Sequence, residues 1–209
     1  MATKKNNSDL AVTALFGAAL FVIFIPFLIF TFAHYKHLKN KFPLTESSQR
    51  IFDFGKLLPA LTKGSSAVFI IGFSILQVSQ RENFYLLISV IVIAGAWVCY
   101  YNAKSIASEY FGVIIDPIRD VIVLPKDMAN YGIGDYLNLR FIRELGLMEE
   151  VKLSKVTKIT RKAGTVLYIH GSFGSRGIIF SNKQKRDECI AAIENGCEEY
   201  LTLMEFEEV

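Results

Sequence analysis

The run FYLLISVIVIAGAWVCYYNA, residues 84–103, decides how the rest of this chain is read. It carries no charged side chain. As a helix it is about 30 Å long, which matches the hydrocarbon core of a bilayer. Trp97, Tyr100 and Tyr101 stand near its C-terminal end, where amphipathic rings favour the headgroup layer. The plainer alternative is a helix buried in a large soluble core. A chain of 209 residues has little room for several of those.

Upstream the sequence is again apolar. Residues 11–33, AVTALFGAALFVIFIPFLIFTFA, are uncharged and long enough to span, with Pro26 in mid-run. The run is too long for a signal-peptide core, and HYKHLKNK follows it in place of a small-residue cleavage site. Residues 65–79, SSAVFIIGFSILQVS, form a shorter apolar run, and Gln80-Arg81-Glu82-Asn83 supplies a polar turn before the opening stretch. Between the first two runs lies a polar loop, residues 34–64, with Lys36, Lys39, Lys41, Arg50, Lys56 and Lys63 against Glu46 and Asp53. The positive-inside rule makes this loop cytoplasmic. Three spans put the loop and the C-terminal half on one side, with the N-terminus outside; two spans would not. The N-terminal Lys4 and Lys5 pull the other way and are outnumbered. Within the loop, SQRIFDFGKLLPAL has an amphipathic pattern. It reads either as a helix on the inner leaflet or as a connecting helix packed on the soluble part.

Charge separates the two halves. Residues 1–103 hold nine Lys and Arg against four Asp and Glu; residues 104–209 hold fourteen against sixteen. The positive excess therefore belongs to the membrane half and bears on topology. The slightly acidic second half argues against nucleic-acid binding. Three cysteines, Cys99, Cys189 and Cys197, form no CxxC and leave one unpaired, which fits a reducing compartment.

From Tyr110 onward the period becomes that of strands. YFGVIID and VIVLP flank the turn Pro117-Ile118-Arg119-Asp120. An irregular insertion follows from Asp127 to Glu150, in which DYLNLRFIREL reads as a short helix or an edge strand. EEVKLSKVTKITRKAG reads as one or two strands with a bend between Leu153 and Val156. TVLYIHGSF and SRGIIFS form another hairpin. Ser181 or Asn182 then caps a final helix with Ile190, Ile193, Cys197 and Leu201 on its apolar stripe; Gly196 weakens or ends it. The expected class is α+β: transmembrane helices over residues 1–103, then a cytoplasmic domain over residues 104–209 in which a curved antiparallel sheet is covered by one helix.

In this order of elements, the hairpin GVIIDPIRDVIVLP, the segment EEVKLSKVTKITRK and the run LYIHGSFGSRGIIFSNKQKRDECIAAI resemble a bacterial pleckstrin-homology-like domain. The resemblance covers Tyr110 to about Leu203. It implies a small bent antiparallel β-barrel plugged by the C-terminal helix, of a kind that often follows paired transmembrane helices. Lipid-binding relatives carry a basic cluster on the first hairpin; here that turn offers only Arg119.

Candidate chemistry is sparse. His34 and His37 stand three apart, two ligands without a third. His170 beside Ser172 suggests a base and nucleophile, but strand neighbours point to opposite faces. Gly171, Gly174 and Gly177 lie between strands, where hairpin geometry explains them better than phosphate binding. Cys189 and Cys197 make no zinc site. The basic residues say more. Lys152, Lys155, Lys158, Arg161 and Lys162, with Lys183, Lys185 and Arg186, are the candidate contact for an anionic leaflet or a protein partner, against the plainer reading of a solvated face. No catalytic residue, metal or cofactor is expected.

The expected role is a non-enzymatic scaffold or accessory component of a bacterial inner-membrane assembly, such as a secretion or conjugation apparatus. Its cytoplasmic domain would recognise a protein through an exposed strand edge or through the insertion, with self-association as a further option. A sensor of anionic lipid or envelope stress is the second reading. A membrane enzyme or transporter subunit is the third, and the spans offer it only Thr13, Thr31, Ser74, Gln77 and Ser89 as polar groups.

Overall fold

The computed structural model describes residues 2–79, 85–128, 131–162 and 164–207. The polar turn at residues 80–83 lies outside them. Three long helices come first: α1 (Ala2–Lys41), α2 (Leu57–Ser79) and α3 (Tyr85–Phe111). Seven strands follow the first helix in chain order: β1 (Gln49–Ile51), β2 (Val113–Asp116), β3 (Val121–Pro125), β4 (Met148–Val151), β5 (Val156–Arg161), β6 (Val166–Gly171) and β7 (Gly174–Ile179). Two short helices, α4 (Ile133–Leu137) and α5 (Arg140–Glu144), fill the insertion, and α6 (Lys183–Glu207) ends the chain.

Two stretches among the described residues are long and apolar enough to cross a membrane: Phe54–Ile75 and Leu86–Phe111. Only 24% and 17% of their apolar windows are buried inside the protein. A core helix of a soluble protein would be mostly buried; these present most of their surface outward, with Phe69, Ile70, Leu86, Val90 and Ile93 exposed. The three helices pack on one another through Phe27, Ala60, Val68, Cys99, Ala103 and Ile106. Gly64 lets α2 approach α1, since a Cβ there would run into the Phe27 ring. The ends of α1 and α3 meet the sheets, and α2 begins there, so α2 runs antiparallel to the other two.

The helices are longer than the expected spans, and α2 begins at Leu57, ahead of residue 65. The first helix runs past the expected span to Lys41, and the third past Ala103 to Phe111. The connection between α1 and α2 is therefore residues 42–56, not 34–64. The segment SQRIFDFGKLLPAL forms no single amphipathic helix. It holds strand β1, a 3₁₀ turn at Phe54–Lys56 and the start of α2. β1 pairs with β2 in the register Gln49↔Ile115 and Ile51↔Val113, so the soluble part takes a strand from the expected membrane half.

The strands form two antiparallel sheets, β1-β2-β3-β4 and β5-β6-β7. Among the described residues they close no barrel, which corrects that part of the expectation. At one seam side chains do the joining. Arg176 on β7 makes three hydrogen bonds of 2.7–3.0 Å to the Glu149 carboxylate on β4. The Gly177 N–H donates to Asp127 at 2.6 Å.

Both faces of the first sheet are covered, and the alternation of side chains explains how. Val113, Ile115, Ile122 and Leu124 point into the core shared with Leu167, Ile169, Ile178 and the α6 residues Cys189, Ile190 and Ile193. Ile114 and Val123 point the other way, onto Leu38, Phe42 and Phe111. The C-terminal end of α1 thus covers the sheet's outer face. Helix α6 passes through Gly196 without ending. A Cβ there would come to 2.9 Å from an Ile115 methyl, so the glycine permits close helix–sheet contact. Leu201, expected on its apolar stripe, is exposed. The insertion resolves into two helices joined by Leu139 in the left-handed conformation (φ 52°).

Candidate functional site

Two polar clasps and one cluster join the helices to the sheets. The first clasp is Arg50 on β1. Its Nε donates to the Phe111 carbonyl at 2.7 Å, and its terminal nitrogens reach the Tyr35 hydroxyl at 3.1 Å and the Tyr110 carbonyl at 3.4 Å. The guanidinium lies 4.7–5.5 Å from the ring centroids of Phe111, Phe52 and Tyr35. The open carbonyls at the end of α3 carry the negative end of the helix dipole, so a cation suits this position. Gly112, at φ 80°, turns the chain from α3 into β2, and a Cβ there would strike the Ile51 carbonyl.

The second clasp is Asp53, only 3% exposed. Its carboxylate accepts from the Gly55 N–H at 3.1 Å, the Ser181 N–H at 2.6 Å and the Ser181 hydroxyl at 2.5 Å. It links the entry to α2 with the entry to α6. Asn182 is then the cap of α6, accepting from the Lys185 N–H at 2.8 Å. Beside this clasp opens a cleft of about 500 Å³ lined by Lys56, Pro59, Glu109, Lys126, Asp127 and Phe180, among others.

The cluster centres on Glu144 of α5. Its carboxylate accepts from Arg140, from Lys126 at 2.6 Å and from the Tyr131 hydroxyl. These donors, Arg140 foremost, hold the Glu144 carboxyl down at about 2. Desolvation and then the bond to Glu144 push the Tyr131 hydroxyl up to about 12. The insertion is fastened by this cluster. It is also fastened at Gly146 (φ 73°), where a Cβ would meet the backbone of Lys104 on α3 at 2.6 Å.

The basic residues singled out from the sequence do not form one patch. Lys152 and Lys155 lie beside the Asp120 turn, whose carboxylate bonds Ser154 at 2.7 Å. β5 then runs about 17 Å to Arg161. Arg161 and Lys162 sit at the other end, with Lys183 and Lys185, next to the α6 entry that Asp53 holds. Lys158 lies between, exposed on β5, a strand that among the described residues is paired on one side only. Arg186 belongs to a different class. It is 8% exposed and donates to the Gly164 carbonyl and to Asp187 at 2.9 Å, so it fastens the β5–β6 turn to α6 and offers no free cation to a leaflet. Lys185 pairs with Glu188 at 2.7 Å, and Arg161 lies 3.8 Å from Asp187.

The other motifs resolve into structure. His170 lies 2.6 Å from the Thr160 hydroxyl and 2.7 Å from that of Ser175, across three strands; Ser172 sits exposed in the hairpin turn. Gly174 (φ 88°) forms that turn. The rings of His34 and His37 stack at 6.0 Å, and no group of three His, Cys, Asp or Glu occurs among the described residues. Cys99, Cys189 and Cys197 are free thiols. Burial raises the Cys189 thiol to about 12.

The clasps were not singled out from the sequence. Arg50 and Asp53 look like ordinary loop charges, and their partners lie 61 and 128 residues away. Compared with protein-family models, curated proteins and solved structures, the chain shows no match.

Proposed function

We propose that the protein is a membrane-anchored scaffold of a bacterial inner-membrane assembly, with three spans, its N-terminus outside and its two-sheet domain in the cytoplasm. The observation that carries this is the rigid joint. Leu38 and Phe42 of α1 cap the sheet, and Arg50 and Asp53 tie α3, α2 and α6 together. A domain held in one pose against its anchor presents a surface to a partner at a defined height and angle. Within the stretch that resembles a pleckstrin-homology-like domain, β2–β3–β4, β5–β6–β7 and then α6 follow the expected element order, with β1 added from residues 49–51 outside it.

The recognition surface is the outer edge of β5, where Lys158 and Arg161 are exposed and the backbone has, among the described residues, a strand neighbour on one side only. An acidic protein segment adding a strand there would gain main-chain hydrogen bonds and charge complementarity. The test is purification of the full chain from native membranes in mild detergent, beside a Lys158→Glu/Arg161→Glu variant. A companion protein should accompany the wild type and be lost with the variant. Recovery of a lone monomer in both cases refutes the scaffold reading.

A second reading rests on Arg161, Lys162 and Lys183 standing at the membrane-proximal end. It makes the domain a reader of anionic lipid. Flotation of residues 104–209 alone would remove β1 and Asp53, so the full chain in vesicles with and without anionic lipid is the proper comparison.

A further inference from the structure

The insertion of residues 131–147 carries an apolar surface that the scaffold reading does not use. Ile133 is 81% exposed, Leu137 78%, Leu139 53% and Tyr136 52%. Five-residue helices in water gain little by presenting leucine and isoleucine outward; Ile133 and Leu137, four apart, share one face of α4, and exposed apolar surface of this kind marks an interaction site. Leu139 also adopts a left-handed backbone that glycine or asparagine would take at lower cost.

The place of the insertion says what covers it. A shallow pocket between it and α3 is lined by Trp97 and Tyr101 on one side and by Asp135, Leu139, Arg140 and Arg143 on the other. Trp97 lies about 21 Å along the helix from Phe111, where α3 enters the sheet. The insertion therefore reaches back from the sheets alongside a stretch long and apolar enough to span. It stands at the level of the aromatic pair Trp97 and Tyr101, whose rings are 4.9 Å apart. Aromatic pairs of this kind sit where headgroups meet acyl chains. The charges agree. Arg140 pairs with Asp135 at 3.1 Å and with Glu144 at 2.7 Å, so both acids are matched by cations, while Arg143 is exposed beside the pocket.

We infer that residues 131–147 form a monotopic wedge. Ile133, Leu137 and Leu139 enter the upper acyl region of the leaflet on the sheet side, and Arg143 meets the lipid phosphates. This rests on the membrane reading and assigns the insertion to lipid, leaving the β5 edge to the protein partner.

The test uses the full chain in phosphatidylcholine–phosphatidylglycerol vesicles. Trp97 is the only tryptophan, so wild-type emission reports α3 itself. Leu137→Trp and Ile133→Trp, each in a Trp97→Phe background, report the wedge. These positions are exposed, so neither change disturbs the core. Phospholipid brominated on the upper acyl chain should lower the emission of both variants roughly twofold, and aqueous acrylamide should reach them weakly. If wild-type Trp97 is quenched by the brominated lipid but both variants respond only to acrylamide, the wedge is refuted and the membrane reading stands. If Trp97 is also untouched by the brominated lipid, the membrane reading fails and takes the wedge with it.

Discussion

Removing the Asp53 carboxylate should loosen the joint between α2 and α6 by an amount the geometry bounds. Asp53 is 3% exposed and accepts three hydrogen bonds, two of them from Ser181 at 2.6 and 2.5 Å. Hydrogen bonds to a charged group contribute about 1.5–3 kcal/mol each, and they are not additive. Ser181 is exposed, so water can replace part of what is lost. Asp53→Ala should therefore cost about 3 kcal/mol in all. Ser181→Ala removes one of the two bonds and keeps the N–H, so it should cost about 1 kcal/mol. Because they share a contact, the double variant should cost less than the sum, with a coupling of about 1 kcal/mol. Thermal unfolding of the full chain in detergent, at one scan rate, reads this directly. For a chain of this length 1 kcal/mol moves Tm by about 2–4 °C, so Asp53→Ala should lower it by about 6–12 °C. A fall below about 2 °C, or single costs that add within about 0.5 kcal/mol, refutes the clasp.

Three further outcomes follow from the same structure. The Glu144 carboxyl is held at about 2 against an ordinary 4.5, so its contribution is complete above pH 4.5 and is lost as pH falls towards 2; Glu144→Gln should flatten that part of the acid limb, and an unchanged pH profile would show the cluster to be idle. Gly112→Ala forces a left-handed backbone onto a residue whose Cβ meets the Ile51 carbonyl, so about 2 kcal/mol or more should be lost, seen as a lower Tm; an unshifted Tm would mean that β1 is not fixed there. Cys189, buried with its thiol raised to about 12, should resist a thiol reagent at neutral pH far longer than the partly exposed Cys197, and equal labelling rates by peptide mapping would contradict the packing of α6.

Much of the element order was legible in the residues, because hydropathy and period are local. The apolar runs became helices. VIVLP became β3 without adjustment, and the bend between Leu153 and Val156 became a 3₁₀ turn at Leu153–Lys155. Errors gathered where pairing is long-range. Tyr110 and Phe111 look like the start of a strand, yet they end α3, since Gly112 is the residue able to turn the chain. Gln49–Ile51 is too short to announce a strand and exists because Val113–Ile115 pairs with it. The insertion divides between helix and strand on pattern alone, because its apolar residues face outward and show no core period.

The candidate site shows the same division in sharper form. Charge counts place the basic excess in residues 1–103, and hydropathy places the apolar runs, since both are sums over residue types. They say nothing of direction. Eight basic residues that fall in two short runs of sequence separate in space, because a strand carries Lys155 and Arg161 to opposite ends and the Gly164 carbonyl takes Arg186 into the interior. Arg50 and Asp53 gain their roles only when Phe111 and Ser181 arrive beside them. Composition and period made this an apolar-helix chain with an α+β C-terminal part. Long-range contacts made it one body, because burial, dipole ends and hydrogen-bond partners belong to places in the fold and not to positions along the chain.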